Sequence, residues 1–283
     1  ALPICHNNKL HKIKWGDAFA FILLFVFFLI IVIPLLWMVV SSLKTNNEIF
    51  SNLWGFPEKW MFNNYKVAWE NGISKYLFNS AFVTVVTCLL NMICCCLSAF
   101  ALSAFDFRGK GLINGLIVCG MMFSPIVALM PLYQLILKLN LYNTQWSIIL
   151  VYTAFQIPMS FMIIYTAFKD IDHSYIDAAR IDGASDLRIM KDVFLPMGRP
   201  AILTAVVLTA FYAWNEFTFA LIFVKKDVLK TVPVGLLAFK GEMHIEWAVL
   251  LAGLVISAIP IIVFFIFMQR YFIAGLNTGG LKE

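Results

Sequence analysis

Apolar residues fall in six long runs separated by polar segments: Ala18–Leu43, Asn79–Phe105, Leu112–Leu137, Gln145–Phe168, Ala201–Val224 and Ala248–Met268. Each is long enough to cross a bilayer as a helix, which takes about 20 largely apolar residues. Strands of a membrane barrel would instead show short segments of alternating polarity. Pro34, Pro125, Pro131, Pro158 and Pro260 lie within the runs. In a bundle such prolines kink a helix without ending it, because neighbouring groups satisfy the freed carbonyl. The pattern therefore predicts an all-α integral membrane protein with six transmembrane helices. A single membrane domain covers residues 18–268, with a short segment before it (1–17), a polar loop at 169–200 and a tail at 269–283.

Composition agrees. Of 283 residues, 61% are hydrophobic and 13% charged, and the mean hydropathy is +0.85. A soluble domain needs about a quarter of its residues charged, so the apolar excess here must face lipid. The first run follows Lys9, Lys12 and Lys14, as a signal peptide would. It is longer than the roughly 7–15 residues of a signal core and leads to no small-residue cleavage site, so it reads as a retained span. The six cysteines form no CxxC pair and the four histidines are scattered, which predicts no metal site. A net charge of +5 is small and dispersed and suggests no nucleic-acid partner.

Six spans put both termini on one side. With that side cytoplasmic, twelve Lys and Arg lie inside and nine outside, in the sense of the positive-inside rule. Loop 169–200 supplies most of the difference. On the opposite side, Lys44–Phe78 is rich in aromatics (Trp54, Trp60, Tyr65, Trp69, Tyr76) and reads as an interfacial belt at headgroup level. Lys225–Trp247 is long enough to reach a partner outside the membrane.

Loop 169–200 contains Tyr175-Ile-Asp-Ala-Ala-Arg-Ile-Asp-Gly-Ala-Ser-Asp-Leu-Arg-Ile-Met-Lys-Asp-Val-Phe-Leu-Pro196. Helical spacing and the Asp182-Gly183 turn signal predict two short helices joined at Gly183. Ser185 is placed to cap the second helix, Leu187, Ile189, Met190, Val193 and Phe194 to form its apolar face, and Pro196 to end it. By themselves these features describe a surface helix pair lying on the membrane.

The order acid-Ala-Ala, Gly, aliphatic, Leu-Pro resembles the EAA loop of binding-protein-dependent ABC importer permeases. It is met here by Asp177-Ala178-Ala179, Gly183, Val193 and Leu195-Pro196, with Asp182 and Ala184 matching the fuller form. The resemblance implies a type I ABC importer permease fold and casts these nine residues as the coupling helix that docks in a cleft of a cytoplasmic ATPase subunit. Asp177 stands where the family usually has Glu, which shortens the reach of its usual ionic contact. The C-terminal stretch Gln269–Glu283 and the pair Trp214-Asn215-Glu216-Phe217 and Ala220-Leu221-Ile222 resemble the maltose-transporter type of permease, which implies a sugar or oligosaccharide as cargo.

In such relatives the tail enters the seam between two ATPase subunits, a role that would fall to Gly279 and Gly280. The segment 225–247 touches the external binding protein, with Gly241 and Glu242 at its tip. The implied partners are a second, non-identical permease, two ATPase subunits, the external binding protein and the lipid bilayer of a bacterial-type plasma membrane. ATP and Mg belong to the ATPase subunits, and this chain is expected to bind no cofactor and to be no enzyme. The chain contains no GxxxxGK[ST] loop, whose backbone amides would cradle phosphates. Glu216, the one acid well inside a span, is costly there. Beside Asn215 it reads either as a polar group of the translocation path or as a structural hydrogen-bonding group. The rival reading, an ion-coupled secondary transporter, calls for several midplane ionisable groups and inverted repeats.

Overall fold

The first apolar run forms helix α1 (Trp15–Ser42), and the chain continues in a bundle of helices with no strand among the described residues. The computed structural model describes residues 15–239 and 246–280. In chain order follow α2 (Asn46–Ser51), α3 (Asn63–Ala68), α4 (Ser74–Ala104), α5 (Lys110–Cys119), α6 (Pro125–Lys138), α7 (Gln145–Lys169), α8 (His173–Ile181), α9 (Asp186–Ile189), α10 (Leu195–Met197), α11 (Arg199–Asn215), α12 (Thr218–Phe223), α13 (Val232–Gly235) and α14 (Trp247–Gly280). Helix α4 packs along α7 and α11 packs across both. Helix α14 lies on α11, and α1 lies outermost against α14.

Four of the six expected spans are uninterrupted, within Phe19–Ser42, Asn63–Ala104, Gln145–Lys169 and Trp247–Gln269. The other two are broken. The third turns through 104° between Met122 and Pro125. Ser124 is extended there (φ −70°, ψ 128°) and Pro125 opens α6. The cause is steric: proline disfavours the helical region for the residue before it and is itself suited to a first helical position. Pro34, Pro131, Pro158 and Pro260 instead lie inside continuous helices, as expected. The fifth run stops at Asn215 and resumes as α12, with Glu216 extended between them.

The bundle has two distinct ends. At one, Trp37 Nε1 donates to Leu53 O (2.8 Å), Ala248 N donates to Asn46 Oδ1 (3.0 Å), and Asn143 N donates to Phe223 O (2.9 Å). These bonds gather segments 43–62, 139–144 and the end of α12. Tyr76 of α4 donates to Asp227 (3.0 Å), Asn79 Nδ2 donates to Val228 O and Lys230 O (2.8 and 2.9 Å), and Val232 N donates to Ser80 Oγ (2.8 Å), tying the segment after α12 to the start of α4. Lys230 Nζ, 2.9 Å from Asp227, holds that carboxyl below the ordinary Asp range against a smaller opposing effect of burial. The helix hairpin 173–197 is at the other end, with the first turn of α1 and the last turns of α14. Helix α14 runs to Gly280, so residues 269–280 of the tail continue the last span as helix.

Candidate functional site

The hairpin forms much as its residues dictate. Asp172 caps α8 by accepting the Ser174 N–H at 2.9 Å, and that bond holds its carboxyl below the ordinary Asp range. Helix α8 ends at Asp182, and Gly183 adopts φ +77°, the left-handed conformation that closes a helix without a Cβ penalty. Gly183 N donates to Arg180 O (3.0 Å) and Ala184 N to Ala179 O (2.9 Å), so the turn's backbone is satisfied. Ser185 occupies the cap position of α9, but its side chain makes no capping bond. Arg180 and Asp186 lie 3.6 Å apart across the turn, an exposed pair worth little by itself.

One face of the hairpin is fastened to the bundle. Ile176, Ile189, Met190 and Phe194 are buried in a cluster with Cys95, Cys96, Phe100, Phe161 and Phe168. Phe194 meets Phe100 edge-on at 4.9 Å and Phe168 at 5.2 Å, arrangements that favour the rings' quadrupoles. The segment Met190–Phe194 is a widened, π-helical turn. The expected apolar face is corrected at one position: Leu187 is 73% exposed, not buried, and Ile181 beside the turn is 86% exposed. The stop at Pro196 is also corrected. The helix passes through Pro196 to Met197, and the direction changes by 77° at Gly198, where α10 meets α11. The widened π-helical turn Met190–Phe194 comes just before Pro196, where the proline ring would otherwise crowd the preceding turn of an α-helix.

Gly198 is an elbow that only glycine fits. A Cβ there would lie 2.3 Å from Phe168 Cε1 and 2.9 Å from Phe194 O. Gly198→Ala is expected to cost about 1–3 kcal/mol by overpacking and to lower the melting temperature of the purified protein. An unchanged melting temperature would show that the elbow yields.

Of the nine residues that the resemblance casts in a coupling role, Asp177, Ala178, Asp182, Gly183 and Pro196 are exposed, and Ala179, Ala184, Val193 and Leu195 are half-buried. The structure thus brings all nine onto one hairpin, whose inner side is anchored and whose outer side presents Ile181 and Leu187. The spacing places Leu187 on the apolar face of the second helix and gives Ile181 no role, because spacing marks an apolar face without showing what covers it.

Glu216 is half-buried at the break in the fifth span. Its Oε2 accepts the Tyr152 hydroxyl (2.6 Å) and Ala220 N–H (3.2 Å), and its Oε1 accepts Phe219 N–H (2.9 Å). Both oxygens therefore serve this chain: the carboxylate caps α12 and fastens it to α7. Tyr152, fully buried, carried no signal in the sequence, being one aromatic within an apolar run. Asn215 is exposed and donates to Phe211 O at 2.8 Å. Gly241 and Glu242 lie outside the described residues. Gly279 and Gly280 fall in the last turn of α14.

The chain is thus an all-helical, largely apolar bundle carrying a stiff helix hairpin at one end. The chain belongs to the family described as binding-protein-dependent transport system inner membrane component, which residues 91–277 match. It is 42% identical to the probable ABC transporter permease protein YurM of Bacillus subtilis (strain 168), over 95% of this chain and 90% of that protein. It is 30% identical to the diacetylchitobiose uptake system permease protein NgcG of Streptomyces coelicolor (strain ATCC BAA-471 / A3(2) / M145), over 92% and 87% respectively. The fold is that of a chain in the crystal structure of a bacterial ABC transporter involved in import of the acidic polysaccharide alginate. That match has a TM-score of 0.81 at 23% identity and covers 96% of this chain and 100% of the other.

Proposed function

We propose that this chain is the permease subunit of an ATP-driven importer and passes a sugar or oligosaccharide, delivered by an external binding protein, across the plasma membrane. The observation that carries the reading is the hairpin: a left-handed glycine turn with exposed Ile181 and Leu187, held on the bundle by Phe194 and Ile189. Apolar side chains on a rigid, solvent-facing element suit insertion into a cleft of another protein. The hairpin end is then cytoplasmic and bears both termini, and ATP with Mg is hydrolysed in two separate ATPase subunits. A second, non-identical permease completes the pathway. The sugar assignment is supported by the relative named for diacetylchitobiose uptake, together with the Trp214–Phe217 resemblance.

Glu216 is a strut of the fifth span, because its oxygens are already occupied, and Asn215 is the better candidate for the path. Asp177 is exposed on α8 and free to meet an ATPase side chain, one methylene shorter than the usual Glu. Uptake by the assembled transporter in proteoliposomes is expected to be sensitive to vanadate and indifferent to ionophores. Uptake that collapses with the ion gradient and ignores vanadate would establish the ion-coupled alternative.

A further inference from the structure

The loop joining α1 to α3 is built inside out. Lys44 is fully buried and Glu48 nearly so, whereas Trp54 and Phe56 are each 75% exposed, with Phe50, Trp60 and Phe62 exposed beside them. In a loop made for water the charges would face outward and the rings inward.

The buried polar groups are spent on the loop's own backbone. Lys44 Nζ donates to Asn52 O at 2.6 Å and Leu53 O at 3.4 Å. Glu48 and Thr45 form a capping box on α2, and Glu48 Oε1 also accepts Glu58 N–H at 2.6 Å. Asn52 Oδ1 accepts Gly55 N–H at 2.9 Å, and Asn64 Nδ2 donates to Ser42 O and Lys44 O at 2.8 and 2.9 Å. Internal satisfaction of this kind lets backbone enter a region poor in water.

The depth of the loop is fixed by Trp37. Its indole donates to Leu53 O at 2.8 Å, and it lies five residues before the last residue of α1, roughly 7 Å down the helix axis. A hydrocarbon core of about 30 Å takes up 20 residues of a helix. The apolar part of α1 has 24 residues, from Phe19 to Ser42, so Trp37 and the loop strand beside it lie at the edge of the core. On the far side Phe50 meets Trp247, the first residue of α14, edge-on at 6.3 Å. The loop thus folds back along the ends of two spans and does not stand above them.

We propose that residues 45–62 are a lipid-interface anchor. The Lys44 ammonium clips the loop shut from within, its aromatic side chains enter the boundary between headgroups and acyl chains, and the outer end of α1 is thereby held. Aromatic side chains concentrate at that level because their apolar bodies and polar edges are both accommodated. An external binding protein would instead need these rings above the bilayer, in water.

The test uses the full chain reconstituted in phosphatidylcholine vesicles. Subtracting the fluorescence of a Trp54→Phe/Trp60→Phe variant from that of the wild type isolates the loop's indoles. Lipid brominated near the headgroup end of its chains is expected to quench that difference at least about twofold, as interfacial indoles demand, and lipid brominated near the chain terminus to quench it less. Aqueous iodide is expected to have little effect. In Lys44→Met the contrast should be lost, with iodide quenching restored. A wild-type difference signal indifferent to brominated lipid and quenched by iodide overturns the proposal and places the rings in water. Equal quenching by both brominated lipids would overturn the assigned depth.

Discussion

Gly183→Pro is expected to reduce ATP-dependent uptake at least about fiftyfold while the protein remains in the membrane at its normal level, because proline cannot take a positive φ. The residue sits at φ +77° and donates its N–H to Arg180 O. Proline would lose both the angle and the bond, and the two short helices could not keep their present angle. The spans have no such dependence: nothing lies within 4 Å of the place a Cβ would take. For the same reason Gly183→Ala should be mild, at about 1 kcal/mol for a left-handed alanine, and should retain most of the uptake. Uptake assays paired with immunoblots of the membrane fraction check both. Full uptake by Gly183→Pro would remove the hairpin from the coupling mechanism.

Glu216→Leu is expected to empty the membrane of protein. The change strips acceptors from the Tyr152 hydroxyl and from the N–H groups of Phe219 and Ala220. Each polar group left buried and unpaired costs about 1–3 kcal/mol, which together approaches the whole stability of many domains. Glu216→Gln retains one acceptor oxygen and the shape, so it should accumulate at intermediate levels. If Glu216→Leu is present at wild-type levels and its sugar preference changes, the carboxylate belongs to the path and its role as a strut is wrong.

The spans were readable because a bilayer imposes one demand on every residue of a run, and no distant partner is required to recognise it. The hairpin was readable for a different reason: its glycine, cap and short helices are local, each set by residues within one turn. The two breaks differ. The one at Ser124 had a local sign in Pro125, although Pro34, Pro158 and Pro260 sit inside continuous helices. The break at Glu216 had no proline or glycine. It depends on Tyr152, 64 residues earlier in the chain, and no local rule links the two. Leu187 was misplaced because periodicity identifies an apolar face without saying whether its cover comes from this chain. Lys44 was counted simply as an outer-side charge, since only the folded loop reveals the carbonyls its ammonium meets.

Helix α4 is continuous over 31 residues, about 46 Å. Near its start Tyr76 and Asn79 grip the segment around Asp227 and Lys230, and near its end Phe100 meets Phe194 of the hairpin. It therefore works as a drive shaft with a bearing at each mouth of the bundle. Tyr76 and Phe100 are about 36 Å apart along the axis, so a tilt of about 5° about one bearing displaces the other by roughly 3 Å; the two mouths cannot change shape independently, and opening at one is geared to motion at the other.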